Sequence, residues 1–147
     1  MKLGLKARHI PGRLATGSFI LNSGLTKLSA DDQMATGVHG MATGSYPALK
    51  RIDPKVFTKL VAGAELLVGT ALLAPVVPTG IAAVGLAGFS LGLLGLYLRT
   101  PGMHQRGTLR PTPDGLALAK DVWMLGIATG FITDELTAHK KTSRKKS

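Results

Sequence analysis

The sequence predicts an all-α membrane protein: a four-helix transmembrane bundle with a short interfacial helix between helices 1 and 2. The main observation is an uncharged run from Leu66 to Leu98, 33 residues without Asp, Glu, Lys, Arg or His. As one straight helix it would extend about 50 Å, whereas a bilayer's hydrocarbon core is about 30 Å thick. Pro75 and Pro78 divide the run, which predicts a helical hairpin crossing twice. An apolar segment on each side of the hairpin brings the predicted crossings to four.

Composition and charge agree with a membrane location. Of the 147 residues, 45% are hydrophobic, and the formal net charge of +10 comes from cations in the N-terminal segment, the flanks of the apolar stretches and the C-terminal tail. Membrane proteins place cations there, and the basic stripe typical of nucleic-acid binding is missing. The lack of cysteine excludes disulfides, thiolate catalysis and iron–sulfur clusters. The basic N-terminus is not followed by the pattern of a removable signal peptide.

The predicted organisation has three parts. Residues 1–10 form a basic N-terminal segment, residues 11–134 the four-helix membrane domain, and residues 135–147 a disordered basic tail attracted to anionic lipid. The spans are predicted at about residues 11–28, 55–75, 78–98 and 114–133.

Each element has its own local signals. The first span is rich in small and hydroxyl side chains, which helix packing inside membranes uses. Ser29 is the predicted N-cap of the interfacial helix, which ends at Tyr46. Asp53 caps the second span and Pro54 opens it. The third span ends in Tyr97-Leu98-Arg99, an aromatic residue and a cation as expected at an interface.

Glycines on the third and fourth spans predict helix-packing stripes. Their spacing of three or four residues places them on one face of each helix and allows a neighbouring backbone to approach closely. These residues are Gly85, Gly88, Gly92 and Gly95 on the third span, and Gly126 and Gly130 on the fourth.

Four crossings also predict where ionisable residues meet. The end of the first span, the start of the second, the end of the third and the start of the fourth must lie on one side of the membrane. An intramembrane polar cluster is therefore predicted there, because isolated charges in hydrocarbon are costly and pairing is economical. Its candidate members are Asn22, Lys27, Glu65, Lys120 and Asp121.

Two interpretations of this cluster stay open. In the functional one, Glu65 passes a proton, or the cluster holds the polar head of a quinone or lipid. In the structural one, Glu65 pairs with Lys120 and only locks two helices. Two loop histidines, His39 and His104, lack metal-ligand spacing, so we predict no metal site. No nucleophile, phosphate-loop or dinucleotide motif appears, and catalytic residues stay unknown.

Several residue patterns resemble the DoxX family of small bacterial integral membrane proteins. They are Arg13-x3-Gly17-x-Phe19-x4-Gly24-x2-Lys27, Ala64-Glu65-Leu66-x2-Gly69-x2-Leu72 and Lys120-Asp121-x3-Leu125-Gly126. The resemblance implies a four-helix, multi-pass protein of the bacterial cytoplasmic (inner) membrane. Some relatives are subunits of quinone-linked sulfur oxidation or partners in membrane oxidative-stress complexes.

The resemblance leads to a functional expectation. We expect an accessory or redox-associated membrane subunit of unestablished activity, not a stand-alone enzyme. The alternatives are a non-catalytic scaffold, a lipid- or quinone-binding protein and, more distantly, a small transporter. A quinone is the one cofactor left open, and the expected partners are the bilayer and a membrane redox complex or a second copy of the chain. The side of the termini carries nine Lys and Arg residues, and the opposite side carries eight. Since such residues are in excess on the cytoplasmic side of membrane proteins, we expect cytoplasmic termini.

Overall fold

The computed structural model describes the backbone of residues 5–144 and the side chains of residues 5–138. All regular elements in this part of the chain are helical. The α-helices are α1 (Ile10–Leu28), α2 (Asp32–Ser45), α3 (Pro54–Leu73), α4 (Thr79–Arg99), α5 (Leu116–Ala119) and α6 (Val122–Arg144). Short 3₁₀ turns cover Ala7–His9 and Pro47–Arg51.

Three segments are long and apolar enough to cross a membrane, judged by length and composition. They are Pro54–Leu73, Thr79–Arg99 and Leu116–Ala138. The first two are the two arms of the predicted hairpin. Helix α1 is not among the three, since small, hydroxyl and charged residues dilute its apolar ones. The crossing of α1 therefore stays a prediction.

The helix boundaries follow local capping chemistry. The Asp53 carboxylate accepts hydrogen bonds from the backbone N–H groups of Lys55 and Val56, which confirms the predicted cap of α3. Helix α3 ends before Pro75, and α4 begins directly after Pro78. The N-cap of α2 is Asp31, which accepts from the backbone N–H of Met34, and not the predicted Ser29.

Helices α1 and α3 run antiparallel in close contact. Arg13 near the start of α1 bonds to Leu72 near the end of α3, and Lys27 near the end of α1 bonds to Glu65. Side chains from α1, α3, α4 and α6 form one buried core, made of Ile20, Leu72, Ala82, Leu86, Met124 and Ala128. Burial of one residue set from four helices makes these helices a single packed bundle.

Gly69 permits the close approach of α1 and α3. A β-carbon at this position would lie 2.8 Å from the backbone N and 2.9 Å from the Cα of Leu21, closer than real β-carbons approach backbone. We therefore expect Gly69→Ala to push the helices apart and lower stability by about 1–3 kcal/mol. Thermal unfolding in mild detergent, followed by circular dichroism, measures the loss.

Gly63 on the same helix supplies the matched control. No atom lies within 4 Å of a β-carbon built there, so Gly63→Ala should stabilise α3 by about 0.5–1 kcal/mol through backbone entropy. Equal melting temperatures for the two variants would contradict a tight α1–α3 contact at Gly69.

The last part of the chain differs from its predicted boundaries. The predicted fourth span is divided into α5 and α6 by a turn at Lys120 and Asp121. Helix α6 then continues to Arg144, through most of the predicted disordered tail, because no Gly or Pro follows Gly130. Residues 145–147 of that tail, and residues 1–4 of the predicted basic N-terminal segment, lie outside the described residues.

Candidate functional site

Arg13 is a buried arginine that holds the turn between α3 and α4. Its side chain is almost fully enclosed, and its guanidinium donates five hydrogen bonds, one for each N–H it carries. The acceptors are Leu72 O (2.7 Å, from Nε), Val77 O (3.1 Å) and Thr79 Oγ1 (2.9 Å) from Nη1, and Ala71 O and Ala74 O (both 2.9 Å) from Nη2.

The acceptors explain why a cation is stable there. The last carbonyls of a helix lack internal partners and carry the negative end of the helix dipole. Pro75 prevents α3 from continuing, and Arg13 binds the carbonyls at this break, of which Ala74 O also accepts from the backbone N–H of Val77. The arrangement is structural, since all of its donors are used within the protein.

A second polar group joins α1 to α3 nearer their other ends. The Glu65 carboxylate is 3% exposed and accepts from Lys27 Nζ at 2.8 Å (Oε1) and 2.9 Å (Oε2). Ser23 Oγ donates to Glu65 Oε1 at 3.1 Å and accepts from Lys27 Nζ at 2.6 Å. This triad satisfies a charge that would otherwise be buried without a partner.

The structure brings together only part of the predicted polar cluster. Lys27 and Glu65 pair directly, so the partner of Glu65 is Lys27 and not the predicted Lys120. Lys120 is exposed, and its Nζ lies 5.2 Å from the centre of the Phe19 ring. Asn22 is exposed and makes no side-chain bond to the triad.

Asp121 differs from the other members of the cluster. It is 5% exposed, yet its carboxyl group makes no hydrogen bond or ion pair within the described residues. The charge of Lys120 acts on it most strongly, followed by those of Glu65 and Lys27. Its oxygens are not fully enclosed, unlike the partnerless Ser90 Oγ, so this carboxyl group is the member of the cluster that a ligand could reach from the adjoining space.

Asp121 lies on the wall of a groove between α1 and α6. The groove has a volume of about 350 Å³, the size of a small ligand pocket. Its lining is apolar except near Asp121 and Lys120, and it includes Trp123, the single tryptophan of the chain. The full lining is Ala15, Thr16, Phe19, Lys120, Asp121, Trp123, Met124 and Ile127.

The predicted glycine stripes have few neighbours inside this chain. Gly85 lies near Val68, and a β-carbon at Gly95 would meet the Tyr46 hydroxyl at 2.5 Å. No atom of the described residues lies within 4 Å of a β-carbon built at the other four, Gly88, Gly92, Gly126 and Gly130. Their predicted role in helix packing stays a prediction.

An ionic cluster at the opposite end of the bundle was not predicted. His9 is 3% exposed and lies beside Asp134, with Nε2 3.0 Å from Oδ2, and near Glu135. Lys6 bridges both carboxylates, which raises its pKa above the ordinary lysine value, and Arg8 binds Asp134 through 2.6 and 2.8 Å bonds. The reasoning from four crossings, applied to the side of the membrane that carries the termini, could have found these residues.

The spacing of this cluster would suit a metal ion, but its charge does not. One ligand atom from each of His9, Asp134 and Glu135 lies within 4.8 Å of the others. The ammonium group of Lys6 already bridges the two carboxylates, and Arg8 adds a second cation. The cluster therefore acts as an ionic clamp between the N-terminal segment and α6.

His39, which lies within α2 and not in a loop as predicted, and His104 have separate local partners. His39 Nε2 lies 3.0 Å from Leu49 O, and its ring contacts Phe57 edge-on. His104 packs against Tyr97, with 5.9 Å between ring centres. The two histidines therefore make separate hydrogen-bonding and packing contacts with different neighbours.

Comparison with known proteins identifies a family. The DoxX family model matches residues 10–99, which span α1 to α4 and contain Arg13, Lys27 and Glu65. The groove residues Lys120, Asp121 and Trp123 lie beyond the match. No curated protein and no solved structure matches the chain. With well over half of its length matched, the chain belongs to the DoxX family of small membrane proteins.

Proposed function

We propose that this protein is an accessory inner-membrane protein that binds the polar head of a lipid or quinone in the groove between α1 and α6. In this proposal four helices cross the membrane, both termini are cytoplasmic and α2 lies at the opposite interface. The chain then acts by holding a membrane-soluble molecule and is not a stand-alone enzyme.

Three features of α1 support its crossing. Its 19 residues extend about 28 Å, close to the thickness of the hydrocarbon core. It lies along α3, which is long and apolar enough to cross. Its two charges, Arg13 and Lys27, are both bonded to the protein interior, while Leu14, Phe19 and Leu25 are exposed on its outer face. Inward-facing, paired charges are typical of charged residues within the membrane.

The carboxyl group of Asp121, which lies at the groove and has no partner among the described residues, is the observation that carries the proposal. A ligand hydroxyl could donate to it when it is ionised, and a ligand carbonyl could accept from it when it is protonated. Lys120 beside it adds a second donor at the same end of the groove. The remaining apolar wall suits an acyl or isoprenoid chain.

A quinone fits this donor set as well as a lipid does. Its ring carbonyls need hydrogen-bond donors, which Lys120 and a protonated Asp121 supply, and its tail needs the apolar wall. A bound quinone would supply reversible two-electron chemistry. This chain's contribution would be to bind and orient the head group, and the predicted redox complex and homo-oligomer stay predictions.

A non-catalytic scaffold is the second candidate, and a specific observation favours it. The structure buries two charged residues within the matched region, Arg13 and Glu65, and both are bonded to other protein groups, Glu65 to the partly exposed Lys27. Such residues hold helices together and leave no free group for chemistry. The two candidates differ in whether the groove has an occupant.

Asp121→Asn tests the groove. We expect the variant to bind a short-tailed benzoquinone at least about fivefold more weakly. The amide N–H is a weaker donor than an acid O–H, and the amide oxygen is a weaker acceptor than a carboxylate. Trp123 lines the groove, so quenching of its fluorescence in detergent measures binding. A brominated acyl lipid, which also quenches tryptophan, separates lipid from quinone binding.

Asp114→Asn is the control, because this substitution removes the same charge and Asp114 is exposed in the loop before α5. It should bind like the wild type. Saturable quenching that is identical in wild type and Asp121→Asn would refute the assignment of the head group to Asp121. If quenching rose linearly without saturation in every variant, the groove would have no specific occupant, and the scaffold function would be favoured.

A further inference from the structure

A cleft that is separate from the groove lies where α1, α2 and α3 meet. It has a volume of about 300 Å³ and lies beside the first turns of α3, the start of a candidate membrane span. Three lysines contribute to its wall against a single acidic residue, Asp32. The full lining is Lys27, Leu28, Ser29, Ala30, Asp32, Ala35, Lys55, Thr58 and Lys59.

The three lysines differ in how firmly they are engaged. Lys27 is bound to Glu65 below the cleft. Lys55 pairs with Asp32 at 2.7 Å, but both side chains are well exposed, and exposed pairs contribute little to stability. Lys59, one helical turn after Lys55, has no hydrogen-bond or ion-pair partner among the described residues. The cleft therefore has positive charge left for an anion.

We propose that this cleft binds the phosphate of an anionic lipid headgroup. Lysine side chains at the end of a span extend to the level of lipid phosphates. Lys59 supplies the unused charge, and Lys55 can exchange its exposed pair with Asp32 for the phosphate. The volume is at the lower end for ligand pockets and suits a single headgroup.

The position of the cleft favours lipid over free phosphate as the source. Two of the cleft's lysines, Lys55 and Lys59, are each followed along α3 by an exposed apolar residue, Val56 and Leu60. A lipid in this position places its phosphate among the lysines and its chains along these residues. Inorganic phosphate would gain only the first of the two contacts.

Lys59→Gln tests this proposal. Purified full-length protein in a neutral detergent is titrated with phosphatidylglycerol, and the bound lipid is counted by native mass spectrometry. We expect about fivefold weaker binding in the variant, the usual effect of one cation near a lipid surface. Lys59→Arg should retain binding, and phosphatidylcholine, which has no net charge, should bind wild type and variant alike.

Lys50→Gln is the matched control. Lys50 is exposed in the segment before α3, is not part of the cleft and carries the same charge. Equal losses for Lys50→Gln and Lys59→Gln would show general attraction and overturn the proposal. Inorganic phosphate that binds as tightly as phosphatidylglycerol would overturn the choice of lipid. Binding of the benzoquinone should be unchanged in Lys59→Gln, which separates this cleft from the groove.

Discussion

Arg13→Ala is expected to destabilise the protein more than any other single substitution considered. It removes five hydrogen bonds from a charged donor and takes the partner from Ala71 O and Leu72 O in the last turn of α3, whereas Ala74 O keeps the backbone N–H of Val77. We expect a loss of about 4 kcal/mol or more, a large fraction of the stability of a small domain. The melting temperature in mild detergent should fall by about 10 °C or more.

Two further variants show whether geometry or charge is responsible. Arg13→Lys keeps the charge but offers three donors from one nitrogen, so it should recover only part of the loss. Arg8→Ala removes an arginine that is mostly exposed, and its effect should be small. If Arg13→Ala melted within about 3 °C of the wild type, water or detergent would be able to replace the guanidinium, and Arg13 would not be what holds the turn.

The hairpin was predictable because its signals are local. Pro75 and Pro78 determine where α3 ends and α4 begins, and Asp53 determines where α3 starts. The role of Arg13 was not predictable from such signals. It depends on the register of α1 against α3, which tertiary packing at Gly17, Gly24 and Gly69 sets. Sequence periodicity alone does not specify register between two helices.

The reasoning from four crossings predicted the depth of the polar cluster in the membrane. It did not predict the direction in which each side chain leaves its helix. It placed Lys27 and Lys120 on the same side as Glu65, and either lysine could have been its partner. Helix α1 lies beside α3 along its length, so Lys27 reaches Glu65. The turn between α5 and α6 instead leaves Lys120 exposed beside Phe19.

The same turn explains why Asp121, and not Glu65, is the acid that has no partner among the described residues. The fourth span was predicted as one continuous helix, in which Lys120 and Asp121 are ordinary neighbours. In the turn the two residues stay neighbours at the groove but differ in exposure, Lys120 being exposed and Asp121 buried. No proline or glycine marks this break in the sequence, so no local signal predicts it.

Glu65→Gln is the second substitution with a large expected effect. It removes the charge paired with Lys27 and leaves a mostly enclosed ammonium group whose remaining acceptors, Ser23 Oγ and the glutamine carbonyl oxygen, are both neutral. Breaking one side of a buried pair usually costs about 3–5 kcal/mol, and we expect about 3 kcal/mol because Lys27 retains some exposure. Thermal unfolding in mild detergent should show a decrease of about 6–12 °C.

The double variant Lys27→Met/Glu65→Met separates a structural pair from a functional carboxylate. If Glu65 only joins α1 to α3, replacing both charges with apolar side chains of similar length should restore most of the lost stability. Benzoquinone binding, measured by Trp123 quenching, should also stay within about twofold of the wild type. A Glu65→Gln protein that melts like the wild type but no longer binds the quinone would instead make Glu65 part of the binding site. The pair would then be a ligand contact, and the remaining lock between α1 and α3 would be Arg13.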